Sequence, residues 1–230
     1  VAEKRLQAIK EFTELGSGFK IAMRDLTIRG AGNLLGAQQH GFIDSVGFDL
    51  YSQMLKEAIE ARKGDAPQAE KFEPEIDLEL DAYIPQTYVT DGKQKIDMYK
   101  RFRAISTIEE KSELQDEMID RFGEYPKEVE YLFAIAEAKV YAIKERVELI
   151  KQDKDAVRLT IDEKASAEID GQKLFELGSK YGRQIGLGME GKKLKISIQV
   201  KNRKPEEWLE TLLDILKGLQ NVKKQTIASS

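Results

Sequence analysis

Residues 194–200 read LKISIQV, and this stretch decides the class of fold that the chain adopts. Apolar and polar residues alternate through it, which is typical of a β-strand with one buried face. Glu190 and Gly191 stand just before it and predict a hairpin turn from a preceding strand that contains Ile185. Pro205 follows, and proline is favoured in the first turn of a helix. The stretch therefore predicts a strand that pairs antiparallel with its predecessor and leads into a helix.

Earlier parts of the chain repeat this mixture of strands and helices. Three further strands are predicted, at residues 75–81, 147–151 and 157–161. Between the first two of them, apolar residues recur at helical spacing in three segments, one of which begins at Thr107 and another at Pro126. Strands interrupted by helices, with at least one hairpin, predict an α+β domain with a largely antiparallel sheet and several helices.

The composition changes near residues 64–74, where glycine, proline and small polar residues are typical of a linker. Before this point, two predicted helices flank a loop region that holds seven of the chain's 17 glycines, all between residues 16 and 47. The chain after residue 221 is expected to fray. Four parts result: a helical hairpin and loop segment at residues 1–64, a linker at 65–73, a domain at 74–225 and a frayed tail at 226–230.

Composition excludes several classes of protein. No window approaches the roughly 18 apolar residues of a membrane span, so we predict no membrane partner. The chain has no cysteine and one histidine, His40, which excludes disulfides, thiolate nucleophiles and multi-histidine metal sites. It begins at Val1 with no signal peptide, and we expect a cytoplasmic protein that is a fragment of a longer one. Trp208 lies in an apolar helical stripe, so we expect a core residue there.

No catalytic or cofactor-binding constellation is recognisable. The phosphate-binding loop GxxxxGK[ST] is absent, and residues 30–36, GAGNLLG, have one residue too many for a dinucleotide fingerprint. Glu75, Asp77 and Glu79 share one strand face and are candidates for holding a hard cation. The favoured interpretation is an edge strand that its charges protect against aggregation. We therefore predict no cofactor and no metal in this chain.

The most informative stretch is residues 16–41, GSGFKIAMRDLTIRGAGNLLGAQQHG. It resembles the segment that follows the last helicase motif in the RecG and Mfd branch of superfamily-2 DNA translocases. The resemblance implies a helical hairpin and loop that couples ATP-driven closure of the motor to movement along duplex DNA. It departs from the pattern at Thr27, where an acid is common, and at His40, where a serine is common.

The resemblance also assigns roles to particular residues of this stretch. It implies that Arg29 and Gln39 couple nucleotide state to translocation, because a guanidinium and an amide can exchange partners between phosphate and protein. It implies that three glycines shape the backbone of the motif: Gly30, Gly32 and Gly36. An ion pair made by the acid that Thr27 replaces would be absent.

Three later stretches distinguish the two members of that branch. Residues 81–85 read DAYIP, residues 95–101 read KIDMYKR, and residues 120–126 read DRFGEYP. All three resemble the C-terminal domain found in the transcription-repair coupling factor family, Mfd. The chain is thereby identified as the C-terminal region of a member of that family, with the translocation motif followed by a regulatory domain.

This resemblance implies the function of the parent protein. Such a protein uses ATP and Mg²⁺ to translocate on double-stranded DNA, displaces stalled RNA polymerase and recruits UvrA. Its C-terminal domain is implied to be an autoinhibitory clamp on the N-terminal UvrB-like module of the same chain. The residues that hydrolyse ATP are expected upstream of Val1, so this fragment is predicted to be inactive as an enzyme.

Charge distribution suggests where the clamp would dock. Residues 65–150 carry 12 basic and 21 acidic side chains, a net charge of −9, whereas the whole chain has a net charge of −4. Such a surface favours a basic partner. The predicted docking residues lie on the helix that begins near Thr107: Glu109, Glu110, Glu113, Asp116, Glu117 and Asp120. The alternative is a solvated helix face with no partner.

Other classes of function remain open at this stage. A stand-alone nucleic-acid-binding module would use the loops of residues 1–64 and four basic residues near Tyr99: Lys95, Lys100, Arg101 and Arg103. We favour side chains that run along an apolar face with their charges in water, because a pI near 5.4 argues against a free-standing duplex binder. A RecG-like helicase fragment is a further alternative, and a small-molecule enzyme lacks any supporting constellation.

Overall fold

The structure, a computed structural model, describes residues 72–225. Within them, six α-helices and five β-strands follow one another. In chain order they are β1 (Glu75–Asp77), α1 (Gly92–Ala104), α2 (Ile108–Phe122), α3 (Lys127–Glu145), β2 (Val147–Gln152), β3 (Ala156–Ile161), α4 (Glu163–Ala167), α5 (Gly171–Ser179), β4 (Ile185–Glu190), β5 (Lys193–Gln199) and α6 (Pro205–Gly218). The predictions for residues 1–64, for nearly all of the linker and for the tail at 226–230 lie outside the described residues.

The five strands form one sheet in the order β1-β2-β3-β5-β4. β1 runs parallel to β2, and every other neighbouring pair is antiparallel. In the register of β3 and β5, Val157 lies opposite Ile198 and Leu159 lies opposite Ile196, and all four side chains are fully buried. The alternation seen in the sequence therefore places one face of the sheet in the core. The prediction of an α+β fold with a largely antiparallel sheet is confirmed.

Helix α3 lies at the centre of the helical layer. It packs against α1, α2, α6 and strand β2, and nine of its 19 residues are buried. Phe133 on α3 meets the ring of Phe102 on α1 with 4.5 Å between centroids. Trp208 on α6 is 2% exposed, which confirms the prediction that it is a core residue. None of the helices in residues 72–225 has the length and apolar character needed to cross a bilayer.

The first predicted strand is shorter than the sequence pattern indicated. Residues 75–81 alternate between acidic and apolar, yet only Glu75–Asp77 pair with a neighbouring strand. Beyond them the backbone bonds locally, because the N–H of Leu80 donates to the carbonyl of Leu78 at 3.0 Å. Leu78 and Leu80 are nevertheless buried. The prediction was right about which residues face the core and wrong about the length of the strand.

Two local features were not predicted correctly. Helix α4 was missed, because five residues are too few to show helical periodicity. Asp162 caps the start of this helix, since its Oδ1 accepts a hydrogen bond from the N–H of Ala165 at 2.8 Å. The expected fraying after residue 221 is wrong as far as residue 225. In that segment the N–H of Asp170 donates to the carbonyl of Val222 at 2.7 Å, and the N–H of Lys224 donates to the carbonyl of Glu168 at 2.8 Å.

The end of the described chain also carries a partly buried ion pair. Lys223 Nζ lies 3.2 Å from Glu145 Oε2, and the Glu145 side chain is 3% exposed whereas that of Lys223 is 50% exposed. The other oxygen, Oε1, is buried and has no hydrogen-bond partner among the described residues. Lys223 is therefore the neutralising partner of a carboxylate that water barely reaches.

We predict that Lys223→Met lowers the free energy of unfolding by about 2 kcal/mol, because it leaves the buried Glu145 charge unpaired. Urea unfolding at neutral pH measures the loss. Lys224→Met is the matched control, since the Lys224 side chain is exposed and makes no ion pair in the described part of the chain. Equal losses in the two variants would contradict a specific role for the pair.

The turn between β2 and β3 predicts a pH dependence. Asp153 accepts from the Arg158 guanidinium at 2.7 Å and from the N–H groups of Asp155 and Ala156, and these bonds lower the pKa of its carboxyl from 3.8 to about 2. A lowered pKa means that the stabilisation is present above the ordinary pKa and is lost as the pH falls towards 2. We expect Asp153→Asn to be less stable than the parent at neutral pH. The difference should shrink as the pH falls from about 4 and disappear only below about pH 2, as urea midpoints would show.

Candidate docking surface

Helix α2 carries the predicted docking residues, and its ends are fixed by local chemistry. Thr107 Oγ1 accepts from the N–H of Glu110 at 3.1 Å, and the Glu110 carboxylate accepts from the Oγ of Ser106 at 3.0 Å. The capping box predicted from the sequence is thus present, with its return bond directed one residue earlier than the usual pattern. The helix ends at Phe122 and is followed by Gly123, whose φ of 83° suits glycine.

Packing decides which face of α2 is presented to solvent. Leu114 and Met118 are buried, and the helix packs on α3 and α1. Lys111 donates to Glu137 on α3 at 2.8 Å, which fixes the helix along its neighbour. The acidic residues on the remaining faces are held on a rigid element rather than on a loop.

Two of the six predicted docking residues already have partners within the domain. Glu117 pairs with Arg101 on α1 and with Arg121 one turn later, at 3.3 Å. Glu110 is engaged with Ser106 at the start of the helix. The Arg121 pair was visible in the sequence as a spacing of four, whereas the Arg101 pair arises from the packing of α1 on α2. Neither acid is a free charge available to a partner.

The other four predicted residues form one line along the helix. They are exposed, they make no ion pair with any residue in 72–225, and the steps between them are four, three and four residues: Glu109, Glu113, Asp116 and Asp120. Residues at such spacings lie on one face of a helix. Ile119, 39% exposed, stands beside the end of this line. We call the four carboxylates the acidic stripe.

The basic stretch on α1 behaves differently from the expectation. Lys95 is fully buried, and its ammonium donates to Gln86 Oε1 at 2.6 Å, so the prediction that its charge lies in water is wrong. Burial lowers the pKa of Lys95. Arg101 is committed to Glu117 and Arg103 is half-buried. With two of its members turned inward or paired, the stretch does not present a continuous basic surface.

The structure also bears on the two interpretations of the acidic residues at β1, a cation site or a charged edge strand. β1 is an edge strand of the sheet, as the favoured interpretation required. Among residues 72–225 no group of three or more acidic or histidine side chains is placed to hold a metal ion. Glu75 and Asp77 lie on this edge strand, whereas Glu79 lies beyond its end.

The residues predicted to couple translocation lie outside the described part of the chain. They are Arg29, Gln39 and the motif glycines Gly30, Gly32 and Gly36. Their roles stay predictions.

Comparison with known proteins places the chain in a family. A family model described as the TRCF domain matches residues 78–172. The chain is 84% identical, over all 230 residues, to the transcription-repair-coupling factor of Bacillus subtilis, and it covers 20% of that protein. A solved structure of the C-terminal domain of a transcription-repair coupling factor shares 33% identity and a TM-score of 0.61; the match covers 65% of this chain and 93% of that one. The chain belongs to the transcription-repair coupling factor family.

The extent of these matches defines what the family assignment covers. A second relative, the transcription-repair-coupling factor of Staphylococcus epidermidis, is 48% identical over 222 residues, which are 95% of this chain and 18% of the relative. The chain thus spans about a fifth of the length of the curated relatives that it matches. The acidic stripe lies inside the matched TRCF domain.

We predict that Thr107→Ala destabilises the domain by about 1 kcal/mol, because it removes the side-chain acceptor that caps α2. Ser112→Ala is the matched control, because Ser112 is exposed to solvent in the middle of the same helix and caps neither end. Alanine has a higher helix propensity than serine, so this variant should not be destabilised. Thermal unfolding of both variants measures the effect. A Thr107→Ala protein as stable as the control would show that packing alone fixes the start of α2.

Proposed function

We propose that this chain is the C-terminal part of an ATP-dependent double-stranded DNA translocase that couples transcription to nucleotide excision repair. In that role the whole protein displaces stalled RNA polymerase and recruits UvrA. Residues 74–225 act as an autoinhibitory clamp that docks on the N-terminal UvrB-like module and covers its UvrA-binding surface. The acidic stripe makes the electrostatic part of that contact.

The observation that supports the acidic stripe as the docking surface of the clamp is the difference between paired and unpaired acids on helix α2. Glu117 and Glu110 are neutralised or bonded inside the domain, whereas the acidic stripe has no partner among the described residues. Four like charges on one helix face repel one another and are better stabilised by an external basic surface than by each other.

The dimensions of the stripe define the partner. Glu109 and Asp120 are eleven positions apart, which corresponds to about 16 Å along a helix. A complementary surface would place two to four basic side chains along that length. Exposed ion pairs are individually weak and are screened by salt, so such a contact is releasable, as a regulatory clamp requires.

The proposal also gives a role to the first 64 residues, which would link the motor to DNA. Arg29 and Gln39 would transmit the nucleotide state of the motor to the DNA-binding surfaces, with ATP and Mg²⁺ held by parts of the longer protein. On its own this chain would not hydrolyse ATP, since no phosphate-binding loop occurs in it.

Calorimetric titration of this chain against the isolated UvrB-like module tests the clamp. We expect binding that weakens when ionic strength rises from about 0.05 M to about 0.3 M. Glu113→Lys combined with Asp116→Lys should weaken binding about tenfold or more at the lower salt, because two attractive contacts become repulsive.

The matched control reverses two exposed acids with the same spacing on α6, Glu207→Lys with Glu210→Lys. It changes net charge equally and should bind like the parent. Equal weakening by both double variants would mean that net charge, and not the stripe, drives association. Binding that neither salt nor the stripe variant affects would place the contact on another surface.

A further inference from the structure

Strand β4 forms one edge of the sheet and lacks the usual protection of an edge strand. Among residues 72–225 it pairs with β5 on one side only, over six residues whose register continues without a shift from Ile185 to Glu190. Its sequence, IGLGME, contains no proline and no charge before its last residue. Edge strands are normally blocked by charges, proline, bulges or short length, because their free N–H and C=O groups can pair with another chain.

The opposite edge of the same sheet is protected in the expected way. β1 is three residues long, and two of them are the acids Glu75 and Asp77. The contrast within one sheet shows that β4 is open by its own composition and not because this fold leaves its edges open in general.

An exposed apolar patch borders the open edge. Leu187 and Met189, on the same strand face as Ile185, are 40% and 60% exposed, and Phe175 on the adjacent helix α5 is 66% exposed. These are three of the five large apolar side chains exposed in the described part of the chain. Large apolar side chains that are exposed on two packed, neighbouring elements are typical of a contact site.

Helix α5 explains why only part of β4 is covered. Gly178 lies so close to the strand that a Cβ there would stand 3.2 Å from Ile185 Cγ2 and 3.8 Å from Leu187 Cδ1. The helix is therefore seated on the beginning of the strand. Leu187 and Met189, further along the strand, stay open to solvent.

Unpaired positive charge lies at only one end of β4 in the described part of the chain. Lys180 and Arg183, in the connection that leads into Ile185, are exposed and make no ion pair within residues 72–225. At the far end Glu190 pairs with Lys195. A partner strand would therefore meet unpaired positive charge beside Ile185, whereas the charges at the far end are already paired, including Lys192 with Glu163 and Lys193 with Glu148.

We propose that β4 is a docking edge for an extended segment of another protein, which adds antiparallel to the sheet as a sixth strand. Its main chain pairs with the free edge of β4, and alternate apolar side chains pack on Leu187, Met189 and Phe175. Acidic residues at its C-terminal end meet Lys180 and Arg183. This mode of recognition takes affinity from main-chain hydrogen bonds and specificity from alternate side chains.

The other face of β4 suits such an addition. Gly186 and Gly188 occupy it, and a Cβ at Gly188 would meet nothing within 4 Å. A partner strand therefore finds no side chain of β4 projecting from that face along the middle of the edge.

The site uses elements that pack on β5 and α6, whereas the acidic stripe is on α2, which packs on α1 and α3. The proposal is thus independent of the clamp.

Fluorescence anisotropy with labelled, end-blocked synthetic peptides tests the docking edge on the full 230-residue chain. The probe is Thr-Val-Thr-Val-Thr-Glu-Glu, and the matched peptides replace its glutamates with lysines or move them to the N-terminal end. We expect the probe to bind about fivefold or more tightly than either matched peptide. Amide hydrogen exchange at β4 should slow when it binds.

Two double variants locate the contact. Leu187→Thr with Met189→Thr removes exposed apolar surface and introduces β-branched residues, which strands favour, and it should weaken the binding of the probe about tenfold. Lys180→Glu with Arg183→Glu should reverse the preference between the acidic and the lysine peptides. This second variant changes only exposed connection residues, so it decides the matter even if the first variant fails to fold.

Three results would overturn the proposal. They are the absence of binding by the probe, equal binding by all three peptides, and binding that neither double variant alters. Sedimentation velocity distinguishes a further case: dimers of this chain that dissociate in the Leu187→Thr, Met189→Thr variant would assign the edge to a second copy and not to an acidic segment.

Discussion

Burial of helix α3 is the constraint on which the rest of the domain depends. The helix contacts α1, α2, α6 and strand β2, and its buried residues lie on several faces, among them Val129, Tyr131 and Leu132. A helix enclosed in this way has no stable place in water without its neighbours, so helices and sheet must assemble together. Its position sets α2 on the outside of the helical layer and leaves the acidic stripe facing solvent.

The domain presents two surfaces with different physical character. The acidic stripe is a line of exposed carboxylates on a helix, and contacts to it depend on salt and are readily broken. The edge at β4 combines apolar side chains with free backbone groups, and contacts to it depend on hydrogen bonds and burial of apolar area. A domain with both surfaces could exchange a partner at one of them without disturbing a partner at the other.

Two charged residues are buried by the tertiary structure, although their residue types alone would predict exposure. Lys95 and Glu145 belong to residue types that are rarely buried, yet the first is fully enclosed and the second nearly so. Lys95 donates a hydrogen bond to Gln86, and Glu145 pairs with Lys223. Because an unpaired buried charge is costly, these contacts fix the approach of residues 84–90 to α1 and of the chain end to α3.

The sequence by itself determined the features that depend on neighbours along the chain. Alternation predicted the strands around Leu159 and Ile196, and Thr107 and Gly123 marked the ends of α2, because caps and periodicity act over a few residues. Only the tertiary structure decided which acids of α2 are free, since Arg101 reaches Glu117 through the packing of two helices. It also decided that Leu187 and Met189 of β4 are left exposed by the other elements of residues 72–225. An alternating pattern shows which side chains share a face, but not whether another element covers that face.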